Sequence, residues 1–388
     1  MRKDLNPVFS ARPQSIFPTM SRLAREHDAI NLGQGFPDED GPLEIRELAA
    51  RLTVEGPNQY APCEGVPELR EAVARDNKRF YDLDVDPDTE TLIVSGATEG
   101  LAAAFYGFLQ PGDEAVLLAP FYECYAPQIE GAGGVLRFVD LEPPEWRLDA
   151  AAVEAAISEK TRLIVINTPH NPLGKVMNRD ELEIVADVAR RRDLIVVCDE
   201  VYEHLIFDNA RHIPLMTLPG MRERCIRIGS AGKTFSLTGF RIGYVTGPAD
   251  LITGVMKAHQ HLSYTSPVPL QKAVASGLAM GDDYYDTFKA EMQEKRDFMS
   301  AGLKQAGFDV LPCEGTYFIT VDIRSVGRDD DVQFCREITE KAKVAAVPIS
   351  AFYHPSQTGA PRNYARFCFC KKPEIIDEAV SRLSKYFA

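Results

Sequence analysis

Residues 230–245, SAGKTFSLTGFRIGYV, set a lone amine, Lys233, between the hydroxyl of Ser230 and the guanidinium of Arg241. An amine flanked by anion-binding side chains can form a Schiff base with a phosphate-bearing aldehyde, and pyridoxal phosphate is the biological example. Two other readings compete. Gly232, Lys233 and Thr234 spell the end of a nucleotide-binding P-loop, but that motif needs a glycine where Arg227 stands and a long helix afterwards. A lysine in a turn is also the ordinary solvated surface charge. The Schiff-base reading makes demands elsewhere: an acid for a ring nitrogen, a donor for a phenolate oxygen, a phosphate cradle, a stacking ring, and a cation for a substrate carboxylate.

The elements that must position such groups are legible as apolar runs. Strand-like runs at 92–94, 115–118, 135–139, 163–166, 194–198 and 225–228 alternate with helical segments, among them 179–191 with Asn178 and Glu181 as a capping box. Near-continuous apolar strands alternating with helices predict an α/β fold, a mostly parallel central sheet covered on both faces. Ligands of such sheets gather at the carboxyl ends of the strands. Asn171, Asp199, Tyr202 and Lys233 fall just after successive runs, although a strand-end aspartate also serves as a helix cap and an asparagine in a proline-rich turn as an Asx turn. Small residues at 95–100, SGATEG, between a strand and a helix let backbone N–H groups approach an anion. After Gly247 the chain becomes helical, with one long amphipathic region at 267–306 and later strands near 316–323 and 364–369. Arg366, mid-strand, points either to a wet face or to an anion in a cleft.

At 388 residues the chain is long for a single core, which predicts two domains. A net charge of −14 gives no field to attract nucleic acid or an anionic membrane, so neither is expected as a partner. The opening MRKDLNPVFSARPQ lacks the apolar core of a signal peptide and no later run is long enough to span a bilayer, which predicts a cytoplasmic protein. The 8 cysteines are scattered without a CxxC pair, so buried thiols are expected rather than a disulfide framework or a zinc site. His259 and His261 have no third ligand nearby in sequence, and no metal is expected.

The stretches NLGQGFPD, NQYAPCEG, SGATEG, PFYECY, NTPHNPLGKV, CDEVYEHL, GSAGKTFSLTGFRIGY and YARFCFCK, in that order along nearly the whole chain, resemble the fold-type I pyridoxal-phosphate aminotransferases of class I/II. The resemblance is to the glutamine transaminase K, kynurenine aminotransferase and methionine aminotransferase branch. It implies a three-layer PLP-transferase fold with a large cofactor-binding domain over 46–284 and a smaller α+β domain from 1–45 and 285–388. It also implies an enzyme that exchanges an amino group between an L-amino acid and a 2-oxo acid by a ping-pong mechanism. Lys233 would hold pyridoxal 5'-phosphate and move the proton, Asp199 would pair with the pyridine nitrogen, and Tyr202 and Asn171 would bond the phenolate oxygen. Gly96, Ala97, Thr98, Ser230 and Arg241 would hold the phosphate and Tyr122 would stack on the ring. Tyr60 would reach the phosphate of a neighbouring subunit, implying a homodimer with shared sites. Arg366 would grip the substrate α-carboxylate, with the loop at Gly35 closing over it.

Phe17 stands where better-known members have tryptophan, Tyr264 where they have phenylalanine and Thr265 where histidine is common. An aromatic pocket without a second fixed cation suits methionine, glutamine, aromatic or kynurenine-like amino acids better than aspartate. A cysteine-conjugate β-lyase would use the same residues. A cofactor-binding transcription regulator would need a basic DNA-binding module ahead of the aminotransferase-like part, and that part begins almost at Met1.

Overall fold

A computed structural model describes residues 4–10 and 14–388; residues 1–3 and 11–13 of the N-terminal segment assigned to the smaller domain lie outside the described residues. Seven strands form the central sheet: β1 (Thr91–Val94), β2 (Glu114–Ala119), β3 (Val135–Asp140), β4 (Thr161–Asn167), β5 (Ile195–Asp199), β6 (Cys225–Ser230) and β7 (Gly243–Thr246). Their order is β1-β7-β6-β5-β4-β2-β3, with every neighbouring pair parallel except those made by β7. Both faces are covered. Along β1, Leu92 and Val94 enter one apolar cluster while Ile93 between them enters another, as the two-residue period of a strand demands. The expected three-layer α/β architecture is what the chain adopts.

Local chemistry explains the element ends. Helix Arg179–Arg192 opens on the predicted capping box, Asn178 Oδ1 accepting from Glu181 N–H while the Glu181 carboxylate accepts from Asn178 N–H. The amphipathic region at 267–306 is two helices, Val268–Leu278 and Asp282–Gln305. The break falls where Gly281, a poor helix former, takes an extended N-cap conformation and two aspartates open the next first turn.

A second sheet lies in the C-terminal part: β8 (Asp309–Val310), β9 (Phe318–Asp322), β10 (Val347–Pro348) and β11 (Tyr364–Cys368), in the order β10-β11-β9-β8 and antiparallel throughout. Every residue of β9 and β11 is buried, so the wet-face reading of Arg366 does not hold. Their apolar side chains join helices Ile16–Glu26, Asp282–Gln305 and Pro373–Phe387 in one cluster with Val201, Tyr202, Leu205 and Phe207. Tyr202 therefore packs where the two sheets' surroundings meet. No helix among the described residues is long and apolar enough to cross a membrane, and the eight cysteines are free thiols.

Arg227, which occupies the glycine position of the P-loop reading, is fully buried on β6 and bonds Glu200, Glu203 and, at 2.6 Å, Asn77 Oδ1. Lys233 sits on a single-turn helix, Ala231–Thr234, followed by β7 instead of a long helix. Both features rule out the nucleotide-loop geometry. His259 is buried with Nδ1 2.9 Å from the Glu99 carboxylate, an ordinary polar contact within the helical layer.

Candidate active site

A cavity of about 380 Å³ opens at the carboxyl ends of the central strands. Twelve of the predicted residues line it: Phe17, Gly35, Ala97, Thr98, Tyr122, Asn171, Asp199, Tyr202, Ser230, Lys233, Arg241 and Arg366. Gly96 lies directly behind, against the Arg241 guanidinium. Tyr60 and Tyr264 are not among the lining residues: both are exposed, and their rings meet edge-on with centroids 5.7 Å apart.

Lys233 enters the cavity because β6 ends at Ser230 and the chain turns at once into the short helix. Its Nζ donates to Gly35 O at 3.1 Å and lies over the Tyr202 and Tyr317 rings, 5.4 and 5.5 Å from their centroids. Burial lowers its pKa, favouring the neutral amine a nucleophile requires. Asp199 closes β5, the strand beside β6. Thr168 N–H and the Asn167 side-chain amide both donate to its backbone carbonyl, at 3.1 and 2.9 Å, fixing the strand end. Its buried carboxylate has a pKa raised to about 6 by desolvation, against the downward pull of the Tyr125 hydroxyl, Val201 N–H and the Lys233 charge. A carboxylate held dry without a full ion-pair partner is poised for an incoming cation.

Helix Ala97–Phe108 presents first-turn N–H groups to the same space, and its N-cap, Gly96, has no side chain to occupy them. A Cβ on Gly96 would stand 2.5 Å from Arg241 Nη2, and one on Gly243 would stand 2.7 Å from Ala97 N. Both positions are glycine because the guanidinium and the helix end press on them; Gly96, at φ +79°, also needs the left-handed region. Arg241 itself is left-handed, at φ +55°, and its Nη1 donates to Thr238 O at 3.2 Å. Helix N-terminus, guanidinium and the Ser230 hydroxyl thus offer anion donors to the cavity that Asp199 and Lys233 also line. The donor set fits pyridoxal phosphate.

Arg366 reaches the opposite wall from β11. Nη1 donates to Asn171 Oδ1 at 2.6 Å and Nη2 to Gly33 O at 2.7 Å, while Nε is buried without an acceptor. Its guanidinium stands 3.8 Å from the Phe318 ring centroid, 4.9 Å from that of Phe352 and 5.3 Å from that of Phe17. Burial pulls its pKa to about 10, still far above neutrality, so the group stays charged. Each terminal nitrogen carries two hydrogens and uses one here, leaving a fork for a carboxylate. Gly35 must be glycine, since a Cβ there would lie 2.4 Å from Phe318 Cζ.

Sequence reasoning passed over Tyr125, Tyr317 and Phe318. Tyr125 Oη donates to Asp199 Oδ2 at 2.5 Å, and the Tyr317 hydroxyl donates to Lys233 O at 3.0 Å. Tyr125 stands three residues after Tyr122, across a turn closed by Tyr125 N–H to Tyr122 O at 3.2 Å where helix Tyr125–Gly131 begins, so that spacing was the available signal. Because the Tyr125 bond holds the Asp199 pKa down, Tyr125→Phe is expected to raise it. The acidic limb of cofactor affinity, measured by titrating apoprotein across pH, moves to higher pH; an unmoved limb removes this role.

The profile of aminotransferase class I and II matches residues 27–383. The solved structure of N-succinyldiaminopimelate aminotransferase from Mycobacterium tuberculosis is similar with a TM-score of 0.96 and 43% identity, covering 99% of this chain and 100% of that one. Methionine aminotransferase of Escherichia coli is 39% identical over 383 residues, 97% of this chain and 98% of its own. Kynurenine–oxoglutarate transaminase 3 of Mus musculus is 36% identical over 392 residues, 94% of this chain and 86% of its own.

Proposed function

The chain belongs to the class I and II aminotransferases and is a pyridoxal-phosphate enzyme that moves amino groups between amino acids and 2-oxo acids by a ping-pong mechanism; we propose that Lys233, Asp199, Tyr202 and Arg366 are the residues that carry the reaction. The carrying observation is one cavity that joins a desolvated amine, a buried strand-end carboxylate and a buried guanidinium.

The bound cofactor supplies an electron sink for the pair left when the Cα proton departs. Lys233 Nζ would hold the cofactor and would serve as the general base for the substrate Cα proton. Its burial keeps the amine available for both tasks. The Asp199 carboxylate would pair with a protonated ring nitrogen, and the Tyr125 hydroxyl, bonded to Asp199 Oδ2, orients that carboxylate and favours its ionised form. Tyr202 Oη and the Asn171 side-chain amide, both lining the cavity, would donate to the phenolate oxygen. Tyr122 stacks on the ring. Ser230, Arg241 and the N–H groups of Ala97 and Thr98 bind the phosphate. Arg366 grips the α-carboxylate through its two terminal nitrogens, and the loop at Gly35 excludes water above it. Tyr60, exposed and outside the lining of its own cavity, is supplied to the site of a second copy, with Tyr264 beside it, which makes the working unit a homodimer.

Methionine, glutamine and aromatic or kynurenine-like amino acids are the proposed donors. The cavity's substrate side offers the Phe17 and Phe318 rings, and among the described residues its cations are Lys233, Arg241 and Arg366, all assigned above. A distal substrate carboxylate would find no further cation among them. The methionine and kynurenine relatives support this range; the succinyldiaminopimelate relative points to a longer acylated donor, so the test is a panel of these amino acids against several 2-oxo acids. Arg366→Ala is expected to raise KM for all amino acids and 2-oxo acids about 10²–10⁴-fold, since two charge-assisted bonds at roughly 1.5–3 kcal/mol each are lost. Steady-state kinetics with an unchanged KM would remove Arg366 from the role.

A further inference from the structure

A second cavity, of about 660 Å³, lies beyond one wall of the first. Ser15, Glu123 and Phe352 line it, whereas their neighbours Phe17 and Tyr122 line the first cavity. The same two chain segments therefore face both spaces. Between them stands an aromatic partition, Phe17 against Phe352, edge-on at 75° with centroids 5.9 Å apart and both rings near the Arg366 guanidinium.

Phe17 belongs to the first turn of helix Ile16–Glu26, whose position depends on its N-cap, Ser15. Ser15 Oγ accepts from Phe17 N–H at 3.3 Å and donates to the Glu123 carboxylate, 2.8 and 2.9 Å from its two oxygens. One hydroxyl thus ties the helix start to a residue 108 positions away and directly after Tyr122. No ion pair among the described residues engages Glu123, so Ser15 is its specific partner. A partly buried carboxylate with a single hydroxyl donor holds that donor firmly.

We propose that the Ser15–Glu123 hydrogen bond is a latch that holds Phe17 in the partition and thereby sets the upper size of the substrate side chain, with the second cavity as the space released when it opens. Glu123 is a positioning residue: it lines the second cavity and not the first, and acts through Ser15 and Phe17. With the latch made, linear and single-ring side chains fit beside Phe17. With it broken, the ring swings away and the two cavities join, admitting fused-ring or acylated side chains. The inference rests on the transaminase reading above.

The test compares holoenzyme carrying Glu123→Ala, Ser15→Ala or Glu123→Gln. Both alanine variants should raise kcat/KM for tryptophan relative to methionine about tenfold, within the range that pocket size alone supplies. KM for methionine should rise with kcat held, because Phe17 contributes packing and not chemistry. Amide hydrogen exchange across Ile16–Glu26 should quicken in both alanine variants, a readout independent of turnover. Glu123→Gln keeps an acceptor for Ser15 and should restore the wild-type selectivity and exchange. Unchanged selectivity in the alanine variants, unchanged exchange, or a glutamine variant as altered as the alanine one would each overturn the latch. Wild-type protein that turns over no amino acid would overturn the transaminase reading and the size limit with it, whereas normal methionine turnover with unaltered selectivity overturns the latch alone.

Discussion

Lys233→Ala is expected to lower kcat by at least about 10⁴-fold, the upper range for loss of a positioned general base, because the covalent anchor for the cofactor goes with it. No other amine lines the cavity among the described residues. The other two cations lining it there are guanidiniums, Arg241 and Arg366, a group that is neither a Schiff-base nucleophile nor a general base. The fold should survive, since the lost side chain contributes one hydrogen bond, to Gly35 O, from a site that is itself a cavity wall. The measurements are single-turnover amino transfer with methionine and peptide mapping after borohydride reduction of the cofactor-loaded protein. Wild-type protein should carry the label on the peptide containing Lys233. A variant within tenfold of wild type, or label on another lysine, would defeat the assignment.

Asp199→Asn produces the second large effect, and it acts with opposite sign on function and on stability. An amide cannot balance a ring cation, so cofactor affinity and kcat should together fall by about 10²–10⁴, the roughly 3–5 kcal/mol cost of leaving one partner of a buried charge pair uncompensated. In the cofactor-free protein the carboxylate itself is the strained group. Its pKa is raised from 3.8 to about 6, so at low pH both folded and unfolded chains hold the proton and burial of this group costs nothing. As pH rises between those values the unfolded chain releases its proton first. Above about 6 the full penalty is present, on the order of 3 kcal/mol. Apoprotein carrying Asp199→Asn should therefore melt higher than wild-type apoprotein at pH 8 and close to it at pH 3.5. A variant equally destabilised at both pH values would show that Asp199 is a structural cap and not a desolvated site for a cation.

These two residues also mark how far the chain could be read before its coordinates. Lys233 and Asp199 follow apolar runs recognisable as buried strands, and the strand-end rule singles them out because a parallel sheet aligns its carboxyl termini along one edge. The glycines told a similar story: SGATEG places Gly96 at the start of a helix able to receive an anion, and the structure supplies the reason, an Arg241 guanidinium occupying the space a Cβ would need. Arg366 was ambiguous. Its alternating neighbours read equally well as a wet strand face, and only the packing of β11 between β10 and β9, beneath Phe318 and Phe352, makes it a buried cation.

What the order of residues determined by itself was local: strand and helix periods, capping box, glycine turns, and the succession of motifs that places the chain in its family. Such features depend on neighbours within a few positions, so they survive in one dimension. Tertiary structure alone decided which groups share an environment. It aimed the Tyr125 hydroxyl at Asp199, set Tyr317 against the Lys233 backbone, brought Ser15 to Glu123, and left Tyr60 and Tyr264 outside their own cavity. Those contacts join residues that no spacing rule relates, and their energies arise from water excluded when distant segments close on one another.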